Sequence, residues 1–396
     1  MHTLALLGML VLQGATADSL TLADAMSRAR QLRGDSRVAA ALVEEARAQR
    51  GVAGQVSNPI GSYQYTGDTP RQHATVSQPF DWLLVRESNR SAAGAVVTRA
   101  EAESTVTATD IAAGVRLSFF EALAAQQALA LARASKRIAD SLSLIADRRF
   151  AGGDISRFED DQVALEAARV GQLVSRAREA LTVALGNLAR AIAWSGPSSE
   201  LQPAGSLDEG LHGESLVPAD PAALPFVRVA VAESTAADYR RQSADRARIP
   251  MPAIEAGAEW NDTADPGKTY LVLGLAIPLP IWNQGGREAA VARAQSQQAA
   301  GLAQEARLEG ARRLSEAATR RREAAERART AQDSLLPSAI RLRERATAAF
   351  RAGETGVVPV LDALRAEREV ALSVILELLT YQNAVTEWNR LLGIDQ

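Results

Sequence analysis

The sequence predicts a mostly helical fold with a small β part, built from duplicated long helical hairpins plus two β-hairpins. Three observations predict it. A glycine-tipped segment occurs twice, as Phe150-Ala151-Gly152-Gly153-Asp154-Ile155-Ser156-Arg157 and as Phe350-Arg351-Ala352-Gly353-Glu354-Thr355-Gly356-Val357, with Phe350 and Gly353 each 200 residues beyond their counterparts. Long stretches rich in Ala, Arg and Glu flank both copies, so each copy reads as a reversal between two helices. In each half, a short alternating stretch with a turn in its middle precedes the long helical run. A repeat of this length argues for one architecture made by duplication rather than for several unrelated domains.

The composition narrows the function. The 396 residues carry a net charge of -3, and arginines are interleaved with acids, as where Arg312, Arg313, Arg320, Arg321 and Arg322 alternate with Glu316, Glu323 and Glu326. That pattern is a solvated helix face, and no nucleic-acid partner is expected. The chain has no cysteine, so disulfides, thiolate catalysis, cysteine metal sites and a lipid-bearing cysteine are not expected either. His2, His73 and His212 have no ligand spacing, and we expect no metal and no cofactor.

Taken in order, residues 1–17 read as a signal peptide: residues 4–12 are a short apolar run, and Ala15-Thr16-Ala17 offers a small-x-small cut site. Nothing later approaches the roughly 20 uninterrupted apolar residues of a spanning helix, so any membrane insertion must be by strands. Residues 18–194 form the first structural repeat. It opens with a Thr21–Asp24 capping pair, and helix resumes after Gly34 to about Gln55. A β-hairpin is predicted over about 58–80, with Gly67-Asp68-Thr69-Pro70 as its turn. Pro79 ends the strand, and helix over 87–149 would extend roughly 95 Å. At the tip over 150–157, Gly153 supplies a positive φ and Ser156 caps the returning helix.

Residues 195–225, rich in Gly, Pro, Ser and Asp, form a linker to the second repeat over 226–396. Its β-hairpin, over about 253–278, points Ile254, Ala256, Ala258 and Trp260 one way and Glu255, Gly257 and Glu259 the other. Lipid outside and water inside would suit that alternation, and so would a soluble sandwich. Four strands cannot close a transmembrane barrel, which needs about eight or more, so the membrane reading requires several chains to share one. Pro278 ends the strand pairing, and helix follows over 288–350, bent at Pro337. At the tip over 350–357, Gly353 ends that helix and Thr355 is placed to cap the next. The returning helix shows Val357, Val360, Leu361 and Leu364 as an apolar stripe, continued at Leu372, Ile375, Leu376 and Leu379.

These features together resemble the TolC-like outer membrane efflux proteins. The residues that carry the resemblance are Gly353-Glu354-Thr355-Gly356-Val357-Val358-Pro359-Val360-Leu361-Asp362-Ala363-Leu364, the tip Gly153-Asp154-Ile155-Ser156-Arg157 and the strand exit Pro278-Leu279. The resemblance implies a homotrimer in which four strands per chain make a twelve-stranded outer membrane β-barrel, continued by an α-helical barrel through the periplasm. It implies a duct that meets a periplasmic adaptor (a membrane fusion protein) at the tips Gly153, Asp154, Ile155, Ser156, Arg157, Gly353, Glu354, Thr355 and Gly356. Behind the adaptor stands an inner-membrane transporter, of the resistance-nodulation-division type by preference. The expected partners are therefore a homotrimer, the adaptor, the transporter and outer membrane lipid. Where family members carry Tyr, Arg and an acid, this chain has Phe350, Thr355 and Pro359, so its gate differs in chemistry.

Threefold symmetry would turn Asp362, Glu159 and Asp160, which begin the returning helices, into carboxylate rings at a periplasmic aperture that favours cations. The expected function is efflux of small molecules or metal ions. The alternatives are a channel for type I protein secretion and, from another class, a soluble periplasmic coiled-coil adaptor or scaffold. An enzyme is not expected: Asp160 and Asp161 point apart on a helix, and no His, Cys or phosphate loop converges on them.

Overall fold

The computed structural model describes residues 19–213 and 219–394, so the expected signal peptide, with its cut after Ala17, lies outside the described residues. Helix α1 (Leu22–Leu32) begins at a capping box in which the Thr21 hydroxyl accepts from the Asp24 N–H at 3.2 Å and the Asp24 carboxylate accepts from the Thr21 N–H at 3.3 Å. The extended residue Arg33 separates it from α2 (Gly34–Ala53). The order continues as β1 (Ile60–Tyr65), β2 (Gln72–Pro79), α3 (Arg86–Gly152), α4 (Arg157–Ala191), α5 (Pro225–Arg246), β3 (Ala253–Trp260), β4 (Thr269–Ala276), α6 (Gly286–Thr330), α7 (Leu336–Arg351) and α8 (Val357–Leu392).

Helix α3 runs unbroken for 67 residues, which corresponds to roughly 100 Å. Its buried positions are mostly small, among them Ala92, Ala95, Ala100, Ala102, Ala112 and Ala122, so neighbouring helices can approach closely along its whole length. Side-chain contacts fix the neighbours. Near the sheet, α2 is tied to α3 by Arg47 to Glu101 at 2.9 Å, and α5 by Ser243 to Asn89 at 2.5 Å and Arg99 to Glu233 at 3.0 Å. Arg293 of α6 meets Asp245 of α5 at 2.9 Å, so four helices stand under the sheet. Towards the other end, α3 is paired with α4 and α7 with α8.

The second long arm is not continuous. A π-helical turn over Ala331–Leu335 separates α6 from α7. Pro337, the second residue of α7, has no N–H to donate and its ring crowds the carbonyl one turn back. Widening the ladder just before it accommodates both effects.

The β-hairpins join into one antiparallel sheet in the order β1-β2-β3-β4, with Val76 opposite Ala256 and Ala256 opposite Leu273. The register puts Tyr63, Tyr65, Ala74, Val76, Ile254, Ala256, Ala258, Trp260, Leu271, Leu273 and Leu275 on one face. Leu271 and Leu273 are 87% and 84% exposed, so nothing among the described residues covers them. The other face carries Ser62, Gln64, His73, Thr75, Glu255 and Glu259, together with Ile60, Tyr270 and Val272. On it the His73 ring meets the Glu259 carboxylate at 3.0 Å. Strands β1 and β4 are edges without a partner among the described residues.

The main core lies midway along the helices. Phe119 and Phe120, edge to face at 5.6 Å, pack with Val115, Leu188, Ile192 and Tyr381. The segment between α4 and α5, expected as a linker, is packed where it is described: Leu201, Leu207, Leu211 and Leu224 are buried. It is strapped to the helices by hydrogen bonds from the Tyr381 hydroxyl to the Gly210 carbonyl at 2.7 Å and from the Gln382 amide to the Leu207 carbonyl at 2.9 Å.

Candidate functional site

The end of the molecule opposite the sheet holds the two reversals. Helix α3 ends at Gly153 (φ 83°) and α7 at Ala352, followed by Gly353 (φ 77°), both glycines in the left-handed region that other residues avoid. A Cβ built on either glycine meets no atom within 4 Å, so both face open space. Ser156 caps α4: its hydroxyl accepts from the Glu159 N–H at 3.3 Å, while its own N–H donates to the Glu159 carboxylate at 2.9 Å. The N-cap of α8 is Gly356 and no side chain caps it, which corrects the expectation for Thr355. At the 200-residue interval Thr355 matches Ile155, and the position matching Ser156 is glycine.

The chain brings its two tips together. Phe350 is 2% exposed and packs with Leu142, Ala146, Val163, Val357, Val360 and Leu361, with Ile155 against the same cluster. The Arg149 guanidinium lies 4.4 Å from the Phe350 ring centroid and donates to the Phe350 carbonyl at 3.2 Å, so α3 supplies a cation to the last turn of α7. Arg157 lies over the Phe150 ring at 5.4 Å. Asp154, Glu354 and Gly356 sit at the surface of the reversals, with Ile155 and Thr355 half-buried.

The three candidate aperture carboxylates have different surroundings. The backbone N–H and then the hydroxyl of Ser156 hold the Glu159 carboxyl below its ordinary range. Desolvation, and then the nearby Asp147, push the Asp160 carboxyl up. Asp362 is 65% exposed and pairs with Arg365 at 3.3 Å. Among the described residues no cluster of His, Cys, Asp and Glu could hold a metal ion, and no helix is long and apolar enough to cross a membrane.

Over nearly its whole length the chain superposes on solved outer membrane channels. Crystal structures of CusC, which concern folding and transmembrane channel formation, match with a TM-score of 0.77 at 17% identity, over 94% of this chain and 92% of that one. The outer membrane protein VceC of Vibrio cholerae gives 0.73 at 16%, over 94% and 96%. The MtrE outer membrane channel of Neisseria gonorrhoeae, in its open state, gives 0.74 at 17%, over 94% and 89%. The fold is that of the TolC-like outer membrane channels. No family profile matches the sequence. The cobalt-zinc-cadmium resistance protein CzcC of Cupriavidus metallidurans is 32% identical over 207 residues, 48% of this chain and 46% of that protein. The match thus spans about half the length of that curated relative.

Within this TolC-like frame, sequence reasoning missed the charged group that ties the two hairpins together. Glu166 of α4, its side chain 5% exposed, accepts from Arg365 at 3.0 Å and from Arg368 at 3.1 Å, both on α8. Burial pushes its carboxyl up, but the hydrogen bonds from Arg365 and then Arg368 outweigh it, and the net shift is downward. A second pair, Arg343 to Glu367 at 3.0 Å, links α7 to α8 beside it. The signal was the run Arg365-Ala366-Glu367-Arg368-Glu369, one to five residues past Leu364 of the predicted apolar stripe and rich in both signs of charge.

Proposed function

We propose that the chain is the outer membrane exit duct of a tripartite efflux system, working as a homotrimer with a periplasmic adaptor and an inner-membrane transporter. The observation that carries this reading is the sheet. One face is mostly apolar and, among the described residues, uncovered, the other carries Ser, Thr, Gln, His and Glu beside Ile60, Tyr270 and Val272, and both edge strands are open. Backbone groups on an open edge cannot face lipid, so such a sheet needs further copies to close it, and three copies supply twelve strands. The helices would then continue the barrel into the periplasm. Nothing in this role calls for a catalytic group or a cofactor.

The tips at Gly153 to Arg157 and Gly353 to Gly356 are proposed to dock the adaptor, since both glycine backbones face open space. Metal ions are the preferred cargo, a choice supported by the relative named for cobalt, zinc and cadmium resistance. Asp362, Glu159 and Asp160 are proposed to line the inner aperture in that order of weight, Asp362 having the most exposed carboxylate. The test is the current through the reconstituted protein in planar bilayers. Asp362→Asn with Glu159→Gln should reduce cation selectivity and weaken block by multivalent cations at low salt. Glu159→Gln keeps a capping-box residue at its position, so the tip fold is retained. Unchanged selectivity and block in the double variant would remove these carboxylates from the aperture, and absence of any conductance in the parent would remove the duct itself.

A further inference from the structure

The helices leave a gap between their two cores. Along α8 the core of the tips ends with Leu361 and Leu364, and the midway core begins with Val374. In that gap α3, α4 and α8 surround a cavity of about 110 Å³. Its wall is mainly aliphatic, with Leu131 and Ile138 of α3, Val170 of α4 and Leu364 of α8. Its polar groups are Ser135, Glu166, Glu367 and Arg368. The three charged ones are already paired: Glu166 accepts from Arg368 with one oxygen and from Arg365 with the other, and Glu367 meets Arg343 with its Oε2 at 3.0 Å. A charged guest would give up its hydration and find no free counter-ion, so the cavity selects against ions. Two polar groups stay open. Among the described residues neither the Ser135 hydroxyl nor the Glu367 Oε1 has a partner. Burial pushes the Glu367 carboxyl up, the mark of an oxygen poorly served by water that a hydrogen-bond donor would satisfy.

We infer that this cavity is a binding site for a small neutral alcohol, its alkyl body against Leu131, Ile138, Val170 and Leu364 and its hydroxyl at the Ser135 and Glu367 end. Size sets the class. An apolar cavity of about 150 Å³ takes benzene, so about 110 Å³ suits a guest of about five non-hydrogen atoms, a four-carbon alcohol. Both parts of such a guest gain: the alkyl body restores packing that the void lacks, and the hydroxyl supplies the donor that the Glu367 oxygen lacks. Because the wall is shared by α3 and α4 of one hairpin and α8 of the other, an occupant braces the two hairpins against each other. The binding itself does not depend on the duct reading of the chain.

The absence of cysteine makes the test direct. In the full-length protein, Ala134→Cys places a single thiol in the cavity wall and Ser141→Cys places one on an exposed turn of the same helix. The rate of modification by methyl methanethiosulfonate is followed while isobutanol is titrated. The site predicts about five-fold slowing at 134 once isobutanol reaches about four times its dissociation constant, with 141 unchanged. Two probes of the same size define the class: 2-butanone, which has no donor, and isobutylammonium, which is charged, should protect 134 much less. Ala371→Leu, which fills the cavity from α8, should remove the protection at unchanged oligomer yield, and Ala139→Val from α3 replaces it if that variant misfolds. Should the thiol at 134 be inert, the Ile138 methyl resonance, assigned by its loss in Ile138→Val, is titrated instead. No slowing at 134 and no shift at Ile138 would overturn the site, as would equal slowing at 134 and 141 or protection that survives both filling variants. Equal protection by 2-butanone or by isobutylammonium would overturn the assignment to a neutral alcohol.

Discussion

Glu166 is buried between two arginines of another helix, and removing it leaves Arg365 and Arg368 facing a cavity that its carboxylate filled. Both arginines are partly exposed and can turn to water, so Glu166→Ala should cost about 2–3 kcal/mol, below the usual penalty for breaking a buried pair. Thermal unfolding of the variant beside the parent, at one scan rate, measures it. The pH dependence has a definite sign. The folded carboxyl is held below its unfolded value, so its contribution is complete above the unfolded value and is lost as pH falls through the folded one. The stability gap between the parent and Glu166→Gln should therefore be constant near neutrality and shrink below about pH 4. A gap that holds at low pH would mean that packing, not charge, makes the difference. Phe350→Ala should cost more, about 3–5 kcal/mol, because it empties the centre of the apical cluster and withdraws the ring under Arg149.

At the scale of elements, the reversals make the docking proposal separable from their fold. Gly153→Ala with Gly353→Ala carries a strain of about 1–2 kcal/mol per site from the left-handed backbone but adds little bulk. Gly153→Leu with Gly353→Leu carries the same strain and adds a side chain in open space. If the tips dock a partner, the leucine pair should abolish efflux at unchanged oligomer yield while the alanine pair keeps a large part of it. Equal efflux in both would end the docking role. The reversals were legible because a positive φ demands glycine and the interval repeats it, and the strand faces because alternation of Ile254 to Trp260 needs no tertiary context. The far stripe of α8 was legible only in part. At about 100° per residue, Ile375 falls close to the line through Leu361 and Leu364, whereas Leu376 falls about 90° off it. The structure buries Ile375 and packs Leu379 against the core, as expected, buries Val374 and Leu378 as well, and leaves Leu372 and Leu376 exposed. Glu166 escaped for a different reason: a buried acid is recognisable only by its partners, and those lie 199 and 202 residues away. The π-helical turn was half legible, since Pro337 announces a disturbance of the helix without saying how the ladder relieves it.

At the scale of the whole molecule, a four-stranded sheet with an uncovered apolar face and two open edges is an incomplete object. The proposed closure by copies of the same chain would place β4 of one protomer against β1 of the next. Adjacent strands hold facing residues about 4.5–5.5 Å apart, within the span of a disulfide. The chain has no cysteine of its own, so introduced pairs report without background. Tyr63→Cys on β1 combined in turn with Leu271→Cys, Leu273→Cys or Leu275→Cys on β4 samples the registers on the shared face. After oxidation in native membranes and denaturing electrophoresis without reductant, at least one pair should give covalent species that end at three subunits, with each single variant remaining monomeric. Monomers from every pair, or a ladder that runs past three, would contradict the closed barrel on which the duct depends.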